Sequence, residues 1–310
     1  MKQLKVFLVI ISILIFYLTA GSAELTLLGT NTKGYREFQN KKDNSILIEI
    51  PAGEFGMGSV PKEGDDDEHP QHLVYLDTFY ISKYEITNEQ FDRFIKATGY
   101  KTDVEKVGKA RIYEPENQGN WVEKSGASWR YYYNKDTKKY PVVLTSWNDA
   151  KADCDWAGLR LPTEAEWEKA ARGSDKRKYP WGNEAPGVKG AARANYADDK
   201  TDYAWSDRKV DDGYQFTAPV GVYETGVSTY GCYDMAGNVW EWCSDRYGEF
   251  YYRVKAAQNP TGPTNGISRV LRGGSWFSSA IELRCANRNK IGPGYENPDL
   301  GFRSAFSLSK

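Results

Sequence analysis

Two histidines, His69 and His72, are all the imidazole that this 310-residue chain possesses. A multi-histidine metal centre is therefore excluded, and so is a Ser-His-Asp triad that does not recruit one of the two. Thiols are scarce as well. Cys154, Cys232, Cys243 and Cys285 make up the full set, and no two of them form a C-x-x-C pair. An excess of basic residues is also lacking. Of 41 Lys and Arg, Lys2 and Lys5 lie in the first 23 residues, which leaves 39 against 42 Asp and Glu, a net charge of −3. That balance argues against nucleic acid or an anionic membrane as partner. The acidic run Asp65-Asp66-Asp67-Glu68 reads as a solvated loop. The chain has no internal repeat and no low-complexity linker.

What is abundant is aromatic: ten Trp and 22 Tyr, a supply for heavy ring packing in a loop-rich fold. The N-terminus has the make-up of a signal peptide, residues 1–23. Lys2 and Lys5 precede an apolar run over residues 6–18, and Gly21-Ser22-Ala23 offers small residues for cleavage before Glu24. The run is short for a membrane span. Export to a secreted, periplasmic or cell-surface location is the expectation, with no membrane contact beyond this segment. Residues 24–45 are polar and poorly patterned, and are read as an unstructured leader.

From residue 46 onward a single α+β domain is expected, ending near 308. Residues 46–59 read as a strand and a Gly-rich turn, and residues 72–87 as one or two strands rich in aromatic and β-branched residues. Three helices carry start signals. Thr87 with Gln90 forms a capping box and Gly99 stops that helix. Ser146 opens a second, closed by Gly158. Thr163 with Glu166 opens a third. Trp147, Ala150 and Cys154 share a face of the middle helix, so Cys154 reads as core. Beyond residue 178 the chain is rich in Gly, Pro, Asn and Asp, with short strands expected near 269–271 and 302–306.

Several stretches in order and spacing resemble the formylglycine-generating (sulfatase-modifying factor) family. They are "PAGEFGMGS", "TFYISKYEITNEQF", "PVVLTSWNDAKADCDWAGLRLPTEAEWEKAARG", "YPWGNE", "YGCYDMAGNVWEWCSD", "RVLRGGSW" and "GFRSA". The resemblance covers roughly residues 46–306 and implies the family's variant of the C-type lectin fold. It also implies an activity: oxidation of a sulfatase cysteine to formylglycine, by oxygen and a copper(I) ion held between two thiolates. Those thiolates are spaced C-x4-C shortly after the Gly-Gly-Ser. Here the positions hold Ser278 and Leu283, and no C-x4-C exists anywhere in the chain. Serine and leucine are no substitute for soft ligands, so copper is not expected.

The resemblance further places Trp240, Ser275 and Arg288 in a substrate cleft. "GASWR" (residues 126–130) resembles a cleft segment but continues "YYYNKD" where the family has a His-Pro pair. Two structural Ca2+ sites are implied. The first takes side-chain oxygens of Asn195 and Asp212 with carbonyls of Tyr196 and Tyr214. The second takes carboxylates of Asp234 and Glu241 with carbonyls of Gly237 and Val239. Such mixtures of hard oxygens suit calcium. Cys285 resembles a family cysteine used in a structural disulfide, but the family partners of Cys154 and Cys285 are absent. Cys232 and Cys243 flank the turn "DMAGNVWEW" and remain a candidate bridge.

Three functions stay open on these grounds. One is a non-catalytic member, a pseudoenzyme that binds a peptide, protein or small-molecule ligand. Another is a sulfatase-modifying oxidase, which the missing thiol pair opposes. The last is a different maturation chemistry on the same scaffold.

Overall fold

The computed structural model describes residues 17–20, 23–114, 120–188, 191–254 and 257–308. The first strands are β1 (Tyr17–Ala20), β2 (Ala23–Thr30), β3 (Arg36–Asn40), β4 (Ile46–Ile50), β5 (Gly53–Met57), β6 (His72–Leu76) and β7 (Phe79–Ser82). Two ribbons follow, β8 (Lys109–Glu114) with β9 (Asn120–Ser125), and β10 (Gly187–Val188) with β11 (Ala191–Ala192). The last strands are β12 (Trp240–Arg246), β13 (Arg269–Arg272), β14 (Asn289–Ile291), β15 (Leu300–Gly301) and β16 (Ala305–Phe306).

One sheet runs β1-β2-β3-β4-β7-β16, antiparallel throughout. A second runs β14-β13-β12-β15, with β15 parallel to β12. The chain end thus serves both sheets: residues 300–301 join one and 305–306 the other. The single strand expected near 302–306 is in fact these two. Likewise residues 72–87 supply β6 and β7 to different sheets, and the stretch after β4 forms the strand β5 rather than only a turn.

Helices α1 (Asn88–Thr98), α2 (Asp103–Val107), α3 (Trp147–Ala157) and α4 (Glu164–Arg172) each begin with a complete capping box. In each, the N-cap hydroxyl takes the N3 amide and the N3 side chain returns to the N-cap amide. These bonds satisfy donors that the helix itself leaves free. Cys154 is fully buried on α3 beside Ala150, as the helical spacing required.

Residues 24–45 correct the leader reading. They form β2 and β3, with Leu25 and Phe38 buried in the core. Asn40 Nδ2 donates to the Ala157 carbonyl at 3.0 Å, which ties the hairpin to the end of α3. Polar residues dominate this stretch because only one face of each strand meets the core. Of the expected signal peptide, residues 1–16 and the proposed cleavage point at 21–22 lie outside the described residues. Tyr17–Ala20, also within it, pairs with β2. No described helix is long and apolar enough to cross a membrane.

Candidate functional site

The site begins where β13 ends. Gly273 and Gly274 take positive φ, 98° and 77°, and a Cβ on Gly274 would stand 2.7 Å from Leu283 Cδ2. The double glycine therefore turns the chain where no side chain fits. Ser275 follows, fully buried. Its Oγ donates to Asp299 Oδ2 at 2.9 Å, and its amide donates to Ser278 Oγ at 3.2 Å. The Trp240 amide donates to the Asp299 carbonyl at 2.8 Å, so Trp240 and Ser275 meet on Asp299. Burial raises the Asp299 carboxyl, and the Ser275 and Asn297 donors oppose that rise. The Trp240 ring belongs to the larger apolar cluster and is 6% exposed. It is core, not an open stacking face.

Arg288 stands elsewhere. Its side chain is fully buried, with Nε and Nη2 donating to Glu164 at 2.7 and 3.0 Å and Nη1 donating to the Asp67 carbonyl. Its guanidinium also lies 4.3 Å from the centre of the Tyr252 ring. Burial pushes the Glu164 carboxyl up, but the Arg288 and Arg272 cations outweigh it and hold it below the usual range. Arg288 is thus engaged by Glu164, although it also lines an acidic cavity of about 340 Å³ with Asp67 and Tyr247, apart from Trp240 and Ser275. A cavity of about 560 Å³ lined by Trp147, Arg160 and Thr261 includes none of the three expected cleft residues.

The thiolate positions are equally closed. Ser278 is buried, its hydroxyl accepting from the Ser275 amide. Leu283 has no exposed surface and packs with Tyr179, Tyr196, Val210 and Ala236. A hydroxyl and a buried isobutyl group do not make a Cu(I) site. The described cysteines are four free, buried thiols, so the Cys232–Cys243 bridge is not formed. Burial pushes the Cys285 thiol up to about 12, which suppresses the reactive thiolate.

Calcium chemistry fits better. At the first expected site Asn195 Oδ1 is buried without any hydrogen-bond partner, although its Nδ2 donates to the Phe216 carbonyl and to Asn238. Asp212 accepts the Tyr196 and Tyr214 amides, each at 2.9 Å. Burial, with Asp198 and Asp211 adding to it, pushes its carboxyl up to about 7. An orphaned hard oxygen and a buried carboxylate without an ion pair among the described residues are the kinds of donor that a divalent cation satisfies.

At the second site Glu241 is not free. Arg303 donates to both its oxygens at 2.6 and 2.7 Å, and Trp167 Nε1 adds a third bond at 2.8 Å. This basic partner lies far away in sequence, where motif spacing gives no sign of it. Asp234, in the left-handed region at φ 55°, accepts the Gly221 amide at 2.7 Å. Reading the sequence missed Glu85, which is fully buried here. It accepts Asn238 Nδ2 at 2.5 Å and the Val239 amide at 3.2 Å. Burial raises its carboxyl far above the usual range, and Asp234 and Glu241 push it further. One arginine, Arg303, thus faces three buried carboxyl groups, those of Glu85, Asp234 and Glu241.

The fold and these sites define a class. Residues 34–308 match the sulfatase-modifying factor enzyme 1-like domain. The chain is 38% identical over 283 residues to the formylglycine-generating enzyme of Mus musculus, covering 84% of this chain and 74% of that one. It is 39% identical to the formylglycine-generating enzyme of Streptomyces coelicolor, covering 83% and 88%. The solved structure of PvdO from Pseudomonas aeruginosa superposes with a TM-score of 0.69 at 29% identity, over 88% of this chain and 98% of that one. The chain belongs to the formylglycine-generating (sulfatase-modifying factor) family and has the loop-rich α+β fold of that family.

Proposed function

We propose that this protein is an exported, calcium-stabilised member of the family that binds a ligand and does not perform the copper oxidation. One observation carries the reading: the two positions assigned to thiolates are Ser278 and the fully buried Leu283. The ligand-facing surface is the aromatic platform beside this loop. Trp205 is 46% exposed and stacks on Tyr203 at 5.1 Å, with its indole N–H donating to the Phe277 carbonyl at 2.9 Å. Phe277 meets Tyr203 edge-on at 4.5 Å. Rigid, partly exposed rings of this kind supply contact area at low entropic cost to a peptide, protein or small molecule.

The test gives the full chain Cu(I), oxygen and a sulfatase peptide containing Cys-x-Pro-x-Arg. The peptide thiol should stay intact by mass spectrometry, while an active family enzyme run alongside converts it. Aldehyde above a protein-free control overturns the reading. For export, protein recovered from its native compartment should begin near Glu24, and intact Met1 in the cytoplasm contradicts it.

A further inference from the structure

Another cavity, of about 430 Å³, lies away from the Ser275 loop, between the end of β5, the end of α4 and the segment after Leu283. Its lining includes Ser59, Glu63, Arg172, Lys176, Lys178 and Arg284. Four cations thus face one carboxylate. The two arginines are held rigidly. Arg172 Nη1 donates to the Gly56 and Gly58 carbonyls at 2.9 and 2.7 Å and lies 3.0 Å from Glu168. Arg284 donates to both oxygens of Glu68, at 2.6 and 2.8 Å.

Arg284 is matched by Glu68, but the neutralisation of Arg172 is incomplete, because Glu168 is shared between Arg172 and Arg272. Arg172 is 4% exposed, and its Nε–H is buried with no acceptor. Lys176 and Lys178 have no ion pair among the described residues, and Lys176 is exposed while Lys178 is half-buried. The C-terminal end of α4 carries a partial charge of only about −0.5, which does not balance two lysines.

We propose that this cavity binds a tetrahedral oxyanion, the phosphate or sulfate group of a small ester. The unaccepted Arg172 N–H, two fixed guanidinium groups and the ammonium groups of Lys176 and Lys178 together are the donors such an anion needs. The volume exceeds that of one free ion, so it has space for the organic part of the ester. The site is separate from the aromatic platform, and its failure would leave the proposed function untouched.

The test is calorimetric titration of the full chain with inorganic phosphate and, separately, inorganic sulfate, each against sodium chloride at matched ionic strength. At least one anion should bind saturably at one per chain, and the tighter of the two names the group that the site takes. The Lys176→Ala/Lys178→Ala double variant should keep the parent melting temperature without anion, since neither lysine has an ion-pair partner among the described residues. It should bind the anion roughly tenfold or more weakly. No saturable heat from either anion, or unchanged affinity in the double variant, overturns the proposal.

Discussion

Asp212→Asn separates the two roles of the carboxylate at the first proposed calcium site. The amide keeps an oxygen for the Tyr196 or Tyr214 amide and removes the charge. Without metal that charge is a liability, because burial pushes the carboxyl up to about 7. The metal-free variant should therefore be no less stable than the metal-free parent at pH 8. With calcium the order reverses. A ligand at a hundredfold excess over Kd stabilises the folded state by about 2.7 kcal/mol. For a domain of this size that is a melting shift of roughly 4–5 °C. The parent should gain this on addition of calcium to a chelated sample, with magnesium giving less, and the variant should gain little.

The effect of pH has a definite sign. The folded pKa of Asp212 lies above its unfolded value, so its contribution without metal is full below pH 3.8 and is lost as pH rises through about 7. A proton competes with the metal over that window, and the calcium shift should be larger at pH 8 than at pH 6. Scanning calorimetry with chelator, calcium and magnesium reads all of this. An unchanged melting temperature across those conditions, or an equal calcium shift in Asp212→Asn, refutes the reasoning.

Arg303→Met leaves Glu241 buried beside two other carboxyl groups, and the loss should be about 3–5 kcal/mol in urea unfolding. A neutral result would mean that the pair contributes nothing. Ellman titration should find no reactive thiol in the native protein and four after unfolding without reductant. Two instead of four would restore the Cys232–Cys243 bridge. Burial, with Glu164 adding to it, pushes the Asp245 carboxyl up to about 7, so its stabilising contribution falls away between pH 3.8 and 7. Asp245→Asn retains an acceptor for the Glu164 amide and should flatten that part of the stability profile. A variant with the parent's slope contradicts the assignment.

Local rules were legible where they act within a few residues. Thr87, Ser146 and Thr163 announced three helices, and the missed one, opened by Thr102, is only five residues long, too short for an apolar period to show. The double glycine and the lost thiolate pair were visible directly. Pairing between distant segments was not visible. Nothing near Arg288 points to Glu164, and nothing near Glu241 points to Arg303, yet these pairs decide which side chains are free. Glu85 fell inside the stretch 72–87 read as strand and joined the second acidic site only through its contact with Asn238. The β2–β3 hairpin escaped because one buried face per strand leaves a mostly polar sequence.

The central claim is the absence of a copper centre, and a Cu(I) titration against a competing chromophoric chelator tests it most directly. The native, reduced chain should leave the chelator's copper complex intact, because its thiols are buried and no two stand where Ser278 and Leu283 do. Stoichiometric removal of one copper ion per chain would contradict it.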